Sequence, residues 1–183
     1  MVLPKRTPNR LKNYDYSQNG AYFITICTKG RQEILWGGTD SVGARIARPT
    51  MPFDTPPRTH PITPPSLSEC GKIVDTGIRN IPLHYTSVSV DQYVIMPNHI
   101  HLILMLRYHG DGRAMRAPTV SSIVNQLKGY TTKQAGFPLW QKSFHDHIIR
   151  NEREYQKIWE YIVTNPLNWE NDCFYNNKST EKR

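Results

Sequence analysis

The chain has only three cysteines in 183 residues, Cys27, Cys70 and Cys173, and no two of them form a CxxC pair. That scarcity argues against a disulfide framework and against a thiolate zinc site. Long hydrophobic runs are also missing, and nothing approaches the roughly 18 apolar residues that a membrane helix needs. Met1-Val2-Leu3-Pro4-Lys5-Arg6 leads into no apolar stretch, so no signal peptide is expected and a cytoplasmic location follows. Acidic residues are few as well. Fifteen Asp and Glu stand against 23 Lys and Arg, leaving a net charge of +8. Such an imbalance favours a polyanionic partner, most commonly nucleic acid.

What is present divides the chain into three parts. A basic arm covers residues 1–20 and carries Lys5, Arg6, Arg10 and Lys12 together with Tyr14 and Tyr16. Cations with interleaved aromatics suit a phosphate backbone with unstacked bases, and a solvated basic tail is the alternative. Residues 21–170 read as one domain, and 171–183 as a polar, frayed tail. Within the domain, residues 37–66 hold Pro49, Pro52, Pro56, Pro57, Pro61, Pro64 and Pro65. Proline lacks a ladder donor and breaks helices, so this stretch is expected to be an exposed insertion.

The remaining elements follow from periodicity. Residues 21–28 are β-branched and aromatic and predict a strand. A helix is expected from the Ser68 cap to just before Pro82, with Ile73, Val74, Gly77, Ile78 and Ile81 on its apolar face. Val88 to Met96 and Ile100 to Leu106 predict two more strands. A helix over 119–134 buries Ile123, Val124 and Leu127. Residues 137–149 have no clear period. The last helix, 151–165, is expected to stop at Pro166. This order suits an α+β sandwich, an antiparallel sheet with helices packed on one face. Two loop stretches, Gly43 to Thr50 and Gly112 to Thr119, resemble each other without implying a repeat fold.

Two segments carry chemistry. The first is Met96-Pro97-Asn98-His99-Ile100-His101-Leu102-Ile103-Leu104. Side chains alternate along a strand, so His99 and His101 share a face and can grip one metal ion. A hydrogen-bonded histidine pair is the other reading. The second segment is the helix Arg150 to Asn165. Tyr155, Ile158, Trp159 and Ile162 follow i, i+3, i+4, i+7 and are expected to face the core. Tyr161 and Asn165 lie one turn apart on the flank of that stripe. A half-buried packing tyrosine is the plainer reading of Tyr161. Asn165 precedes proline, which disfavours helical geometry and is expected to set it at the helix end.

Together these motifs resemble the single-tyrosine HUH transposases, and among them the REP-associated tyrosine transposases. The resemblance rests on His99-Ile100-His101 behind Met96-Pro97-Asn98, and on Tyr161 with Asn165-Pro166 four residues on. Arg10 to Ser17, Gly20 to Thr25, Leu139-Trp140-Gln141 and His145 to Arg150 also match. It implies a ferredoxin-like or RRM-like fold with a C-terminal helix bearing the catalytic tyrosine. It implies Tyr161 as nucleophile, with Tyr155 as a lesser rival, and His99, His101 and Asn165 as ligands of Mg²⁺ or Mn²⁺. Related insertion-sequence enzymes carry a glutamine where Asn165 stands. The activity implied is cleavage and rejoining of single-stranded or hairpin DNA, in repetitive palindromic elements, through a 5′-phosphotyrosine. Lys5, Arg6, Arg10, Lys12, Tyr14, Tyr16 and Lys128 are the expected DNA contacts. Lys133, Arg150 and Arg153 are weaker candidates, and His145 and His147 are not expected to bind metal. The protein is expected to be nucleoid-associated and a monomer or homodimer, with no membrane partner. A binding module without strand transfer, a rolling-circle-type nuclease and a water-using hydrolase are the rival readings.

Overall fold

A computed structural model of the protein describes residues 14–37, 66–107 and 118–175. Lys5, Arg6, Arg10 and Lys12, nearly all of the proline-rich stretch and most of the second loop lie outside the described residues. The two ends of the proline-rich stretch are tied together, because Gly37 donates its amide to the Ser66 carbonyl at 2.7 Å. No helix among the described residues is long and apolar enough to cross a membrane.

Four antiparallel strands form one sheet. These are β1 (Gly20–Cys27), β2 (Val88–Ile95), β3 (His99–Leu106) and β4 (His145–Ile149), in the order β2-β3-β1-β4. With helices α1 (Glu69–Arg79), the short α2 (Ile81–His84) and α3 (Val120–Ala135), this is the ferredoxin-like α+β arrangement. Strand alternation makes the two faces different. Tyr22, Ile24 and Ile26 of β1, with Ile100, Leu102 and Leu104 of β3, pack on Val74 and Ile78 of α1 and Ile123, Val124 and Leu127 of α3. The opposite face carries Phe23, Ile103 and Ile149, and there α4 (Glu152–Thr164) lays down Tyr155, Ile158 and Ile162. The catalytic-helix candidate therefore packs on the second sheet face, away from α1 and α3.

The helix starts obey capping chemistry, in which a side-chain oxygen satisfies an orphan amide. Ser68 accepts from Gly71 at 3.0 Å and Asn151 from Glu154 at 2.9 Å. Thr119 and Ser122 form a reciprocal capping box, and α3 ends on Gly136 at φ 78. A left-handed residue at that position suits glycine.

Several local expectations differ from the structure. β4 forms inside the stretch without clear period, because a five-residue edge strand with exposed His145 and His147 carries little hydrophobic signal. Trp159 is 40% exposed and does not face the core. α4 does end before Pro166, with Asn165 as its C-terminal cap, but Pro166 does not stop the chain's winding. Asn165 is helical at φ −55 and ψ −43, and a 3₁₀ run continues over Asn165–Asn171. Proline is tolerated in the first turn of a helix, where its missing amide would be unpaired anyway. The start of the tail is correspondingly ordered, and Asp172 and Phe174 fold back against β3.

Candidate active site

β3 is the second strand of the sheet and is flanked on both sides. Its His99 is buried beside Cys27 of β1, and His101 is buried beside Thr25. Both rings point to the α4 face, and their Nε2 atoms approach to 3.0 Å. The Nδ1 atoms are held from behind. His101 Nδ1 meets Thr25 Oγ1 at 2.8 Å, and His99 Nδ1 meets Asn98 Oδ1 at 2.8 Å. Asn98 is itself oriented, since its Nδ2 donates to the Phe174 carbonyl at 2.8 Å. Its Oδ1 can only accept, so His99 carries its proton on Nδ1 and presents a lone pair at Nε2. Partners of this kind behind a histidine are what fix a metal ligand's tautomer and ring direction.

Burial drives both imidazoles toward the neutral form. His99 is pushed down to about 4, and Asp172 partly opposes the fall. His101 is also lowered well below its ordinary value, by burial and by its neighbour His99. Neutral imidazole is the metal-binding form, so the pair is ready at neutral pH.

Three further groups close on the pair. His99, His101 and Asp172 each offer a ligand atom, and these atoms lie within 4.8 Å of one another. No cysteine joins that cluster among the described residues. Asp172 is fixed by the Phe174 amide, which donates to Oδ1 at 2.7 Å, and by Asn165 Nδ2, which donates to Oδ2 at 3.1 Å. Asn165 is 3% exposed, and its Oδ1 is buried with no hydrogen-bond partner. A buried oxygen without a donor is costly unless something positive meets it. Two imidazole nitrogens, a carboxylate and an unmatched amide oxygen therefore fit a divalent cation.

Tyr161 stands at the edge of the cluster and is 40% exposed. Its Oη lies 3.3 Å from His101 Nε2 and donates to Asp172 Oδ2 at 3.3 Å. Its ring meets His101 and Phe23 edge-on. Burial, and then the negative Asp172, push the phenol up to about 12, while a hydrogen bond from Asn165 works the other way. The helical spacing puts Tyr161 beside His101, and Asn165 meets the cluster through its bond to Asp172.

The other candidates are placed elsewhere. Tyr155 donates its hydroxyl to Asp91, the residue at the β2 bulge, and is likewise raised to about 12. Tyr16 is buried in the core and packs edge-on to Tyr14 and against Tyr22. Tyr14 meets the Tyr22 hydroxyl at 3.3 Å. Lys128 donates to the carbonyls of Gln141 and Ser143 at 2.9 Å, so its ammonium ties α3 to the segment before β4. His147 pairs with Glu154 at 2.7 Å, away from the histidine pair. Sequence reasoning missed Asp172 altogether and gave Asn98, Thr25 and Phe174 no role. The Met-Pro-Asn before the pair was a signal for Asn98. Nothing in the local pattern marks Asp172.

No family model matches the chain. It is 35% identical over 185 residues to an uncharacterized protein of Haemophilus influenzae, covering 91% of each. It is 30% identical over 79 residues to the REP-associated tyrosine transposase of Escherichia coli K12, covering 43% of this chain and 44% of that protein. The second match thus spans less than half of that relative's length. Among solved structures, a REP-associated tyrosine transposase bound to a REP hairpin aligns with a TM-score of 0.58 at 19% identity. That alignment covers 87% of this chain and 74% of the other, and it bears on the fold.

Proposed function

We propose that the chain is a REP-associated tyrosine transposase-like enzyme that cuts and rejoins single-stranded DNA at hairpin-type sites, with Tyr161 as nucleophile, a reading supported by its similarity to transposases of that name. The observation that carries this reading is the position of Tyr161 Oη, 3.3 Å from both His101 Nε2 and Asp172 Oδ2. Tyr155, by contrast, is engaged with Asp91 outside the cluster.

In this reading His99, His101, Asn165 Oδ1 and Asp172 hold a divalent cation, Mg²⁺ or Mn²⁺, both of which accept mixed nitrogen and oxygen donors. Such a cation neutralises charge on the scissile phosphate and eases ionisation of the phenol. The chain's own groups do the rest. Asp172 Oδ2 accepts the phenolic proton as Tyr161 Oη forms a bond to phosphorus. The bond from phosphorus to the 3′-oxygen breaks, and the proton ends on that oxygen as a free hydroxyl. The product is a 5′-phosphotyrosine, whose ester keeps the bond energy for rejoining. Thr25 and Asn98 keep both Nε2 atoms aimed at the same point throughout.

The test is a denaturing gel of the protein with labelled hairpin oligonucleotides and Mn²⁺. A covalent protein–DNA band in wild type, lost with chelator and in Tyr161→Phe, is the expected result. A band that survives in Tyr161→Phe would sink the assignment. Binding without any band in wild type would leave a hairpin-binding module.

A further inference from the structure

Trp169 stands on the 3₁₀ run that follows α4. Its half-buried indole lies against His99, with ring centroids 5.9 Å apart and planes tilted by 41°. Two more rings meet it. Tyr175 is edge-on at 5.3 Å and 84°, and Trp36 is tilted at 6.3 Å and 56°. Trp36 is fixed in turn, because its Nε1 donates to the Ile95 carbonyl at 2.7 Å. On the other side of the histidine pair the row continues. His99 and His101 lie 4.5 Å apart, and His101 and Tyr161 lie 5.2 Å apart. One line of rings, each step between 4.5 and 6.3 Å, therefore runs from Tyr161 through the histidines to Trp169, Trp36 and Tyr175.

The far end of this row has the character of a surface. Tyr175 is 38% exposed, Trp36 and Trp169 are half-buried, and none of the three belongs to either apolar cluster of the core. Phe174 is not counted with them, because the Arg31 guanidinium lies over its ring at 5.1 Å. Edge-on and tilted contacts cover less of a ring than parallel stacking does, so the three rings keep π-surface for a further planar group. The chain's charge of +8 draws a polyanionic strand to the molecule. A nucleobase is the planar ring that arrives with a phosphate held at the histidine pair.

We infer that Trp169, with Trp36 and Tyr175, stacks an unpaired base of the DNA strand whose phosphate lies at the histidine pair. The inference rests on the function proposed above for this site. Only an unpaired base can lay its face on a protein ring, so the platform favours single strand over duplex. Every base has a π-face, so it sets the strand's position and not its sequence. A base fixed beside His99 limits where the neighbouring phosphate falls, which is how substrate placement aids attack.

The test compares two labelled strands of equal length and charge: oligo-dT, and the same backbone with abasic sites in place of the thymidines. Binding is read by fluorescence anisotropy with chelator present, so that no strand is cut. Trp169→Leu keeps an apolar cover over His99 without a π-face, Trp169→Phe keeps a smaller face, and Tyr175→Leu changes the exposed end. Wild type is expected to bind oligo-dT about tenfold or more tighter than the abasic strand. Trp169→Leu should lose most of that preference and Tyr175→Leu part of it, by weakening oligo-dT alone. Trp169→Phe should keep most of it, and Mn²⁺ affinity without DNA should stay at the wild-type value in all three. Absence of any preference for bases in wild type, absence of binding included, overturns the inference. So does a full preference in both leucine variants. A loss in Trp169→Leu that is equal for the two strands, or mirrored in Mn²⁺ affinity, also overturns it, because the indole then only shields His99. If Trp169→Leu does not fold by circular dichroism, Tyr175→Leu decides alone, and an unchanged preference there overturns the inference. The covalent band is read separately. Its absence alongside an intact preference for bases sinks strand transfer and leaves the stacking platform standing.

Discussion

Asn98 and Phe174 are joined by a 2.8 Å hydrogen bond from the Asn98 amide to the Phe174 carbonyl, and that bond decides where His99 carries its proton. With Nδ2 turned to Phe174, Oδ1 must face His99 Nδ1, so the lone pair at Nε2 points into the cluster. Asn98→Leu removes both bonds. Mn²⁺ affinity is expected to fall by about 10- to 100-fold, as for other losses behind a metal-binding histidine. Asn98→Asp keeps an acceptor on Nδ1 and should retain most of the affinity. Isothermal titration of both variants decides it, and equal affinity losses would refute the tautomer argument.

Tyr161→Phe is expected to abolish the covalent DNA band while leaving Mn²⁺ affinity and melting temperature near wild type. Its hydrogen bonds with His101 and Asp172 are long, at 3.3 Å, and the side chain is partly exposed. Tyr155→Phe should do the reverse. It loses the bond to the Asp91 carboxylate that fastens α4 to the β2 bulge, costing about 1–2 kcal/mol of stability, and it keeps the band. The pair of variants, read by gel and by thermal melting, separates the nucleophile from a tether on the same helix.

Asp172 offers two effects to one substitution. It supplies an oxygen to the cluster and accepts from Tyr161. Asp172→Asn keeps the shape and removes the charge. Adduct formation is expected to fall by about 100-fold or more, with weaker Mn²⁺ binding alongside. Single-turnover rates at saturating Mn²⁺ separate the two effects. A wild-type rate once the metal site is filled would show that the carboxylate only binds the ion.

Much of this site was legible in the sequence, and the reason is periodicity. The two-residue repeat of a strand puts His99 and His101 on one face, and the four-residue spacing of a helix puts Tyr161 and Asn165 on one flank. Those relations are local, so pattern alone carries them. Asp172 depends instead on a chain reversal after Pro166, where a 3₁₀ run returns the backbone to β3. No local period encodes that return. Trp159 misled because Tyr155, Ile158 and Ile162 make the contact with the sheet and leave it exposed. The edge strand β4 was hidden because its outward residues are polar.

Proton uptake by the buried histidines should make the metal-free protein acid-sensitive. His99 is lowered to about 4 in the folded protein, from an ordinary value near 6.5. The unfolded chain therefore takes up the proton first as pH falls. The stability contribution is complete above about 6.5 and is lost progressively down to about 4, where folded and unfolded states carry the proton alike. His101, likewise lowered well below its ordinary value, adds to the loss as pH falls. The slope is about 1.4 kcal/mol per pH step for each histidine within its window. Denaturant midpoints with chelator between pH 7.5 and 4.5 measure it, and a flat profile between pH 6.5 and 5 would contradict the burial argument.

Asn165 gives the sharpest separation of metal binding from folding. Its Oδ1 is buried without a donor, so in the metal-free protein that atom is a cost and not a support. Asn165→Ala removes the cost together with the 3.1 Å bond to Asp172 and some packing. These terms oppose each other, so metal-free stability is expected to change by less than about 1 kcal/mol. Mn²⁺ affinity, by contrast, should drop by about tenfold if this oxygen is the one proposed to meet the cation. Asn165→Asp restores an oxygen and adds charge, and it should bind Mn²⁺ at least as tightly as wild type. Stability that falls by several kcal/mol in Asn165→Ala with affinity intact would mean that the amide holds Asp172 and the chain reversal, and meets no ion.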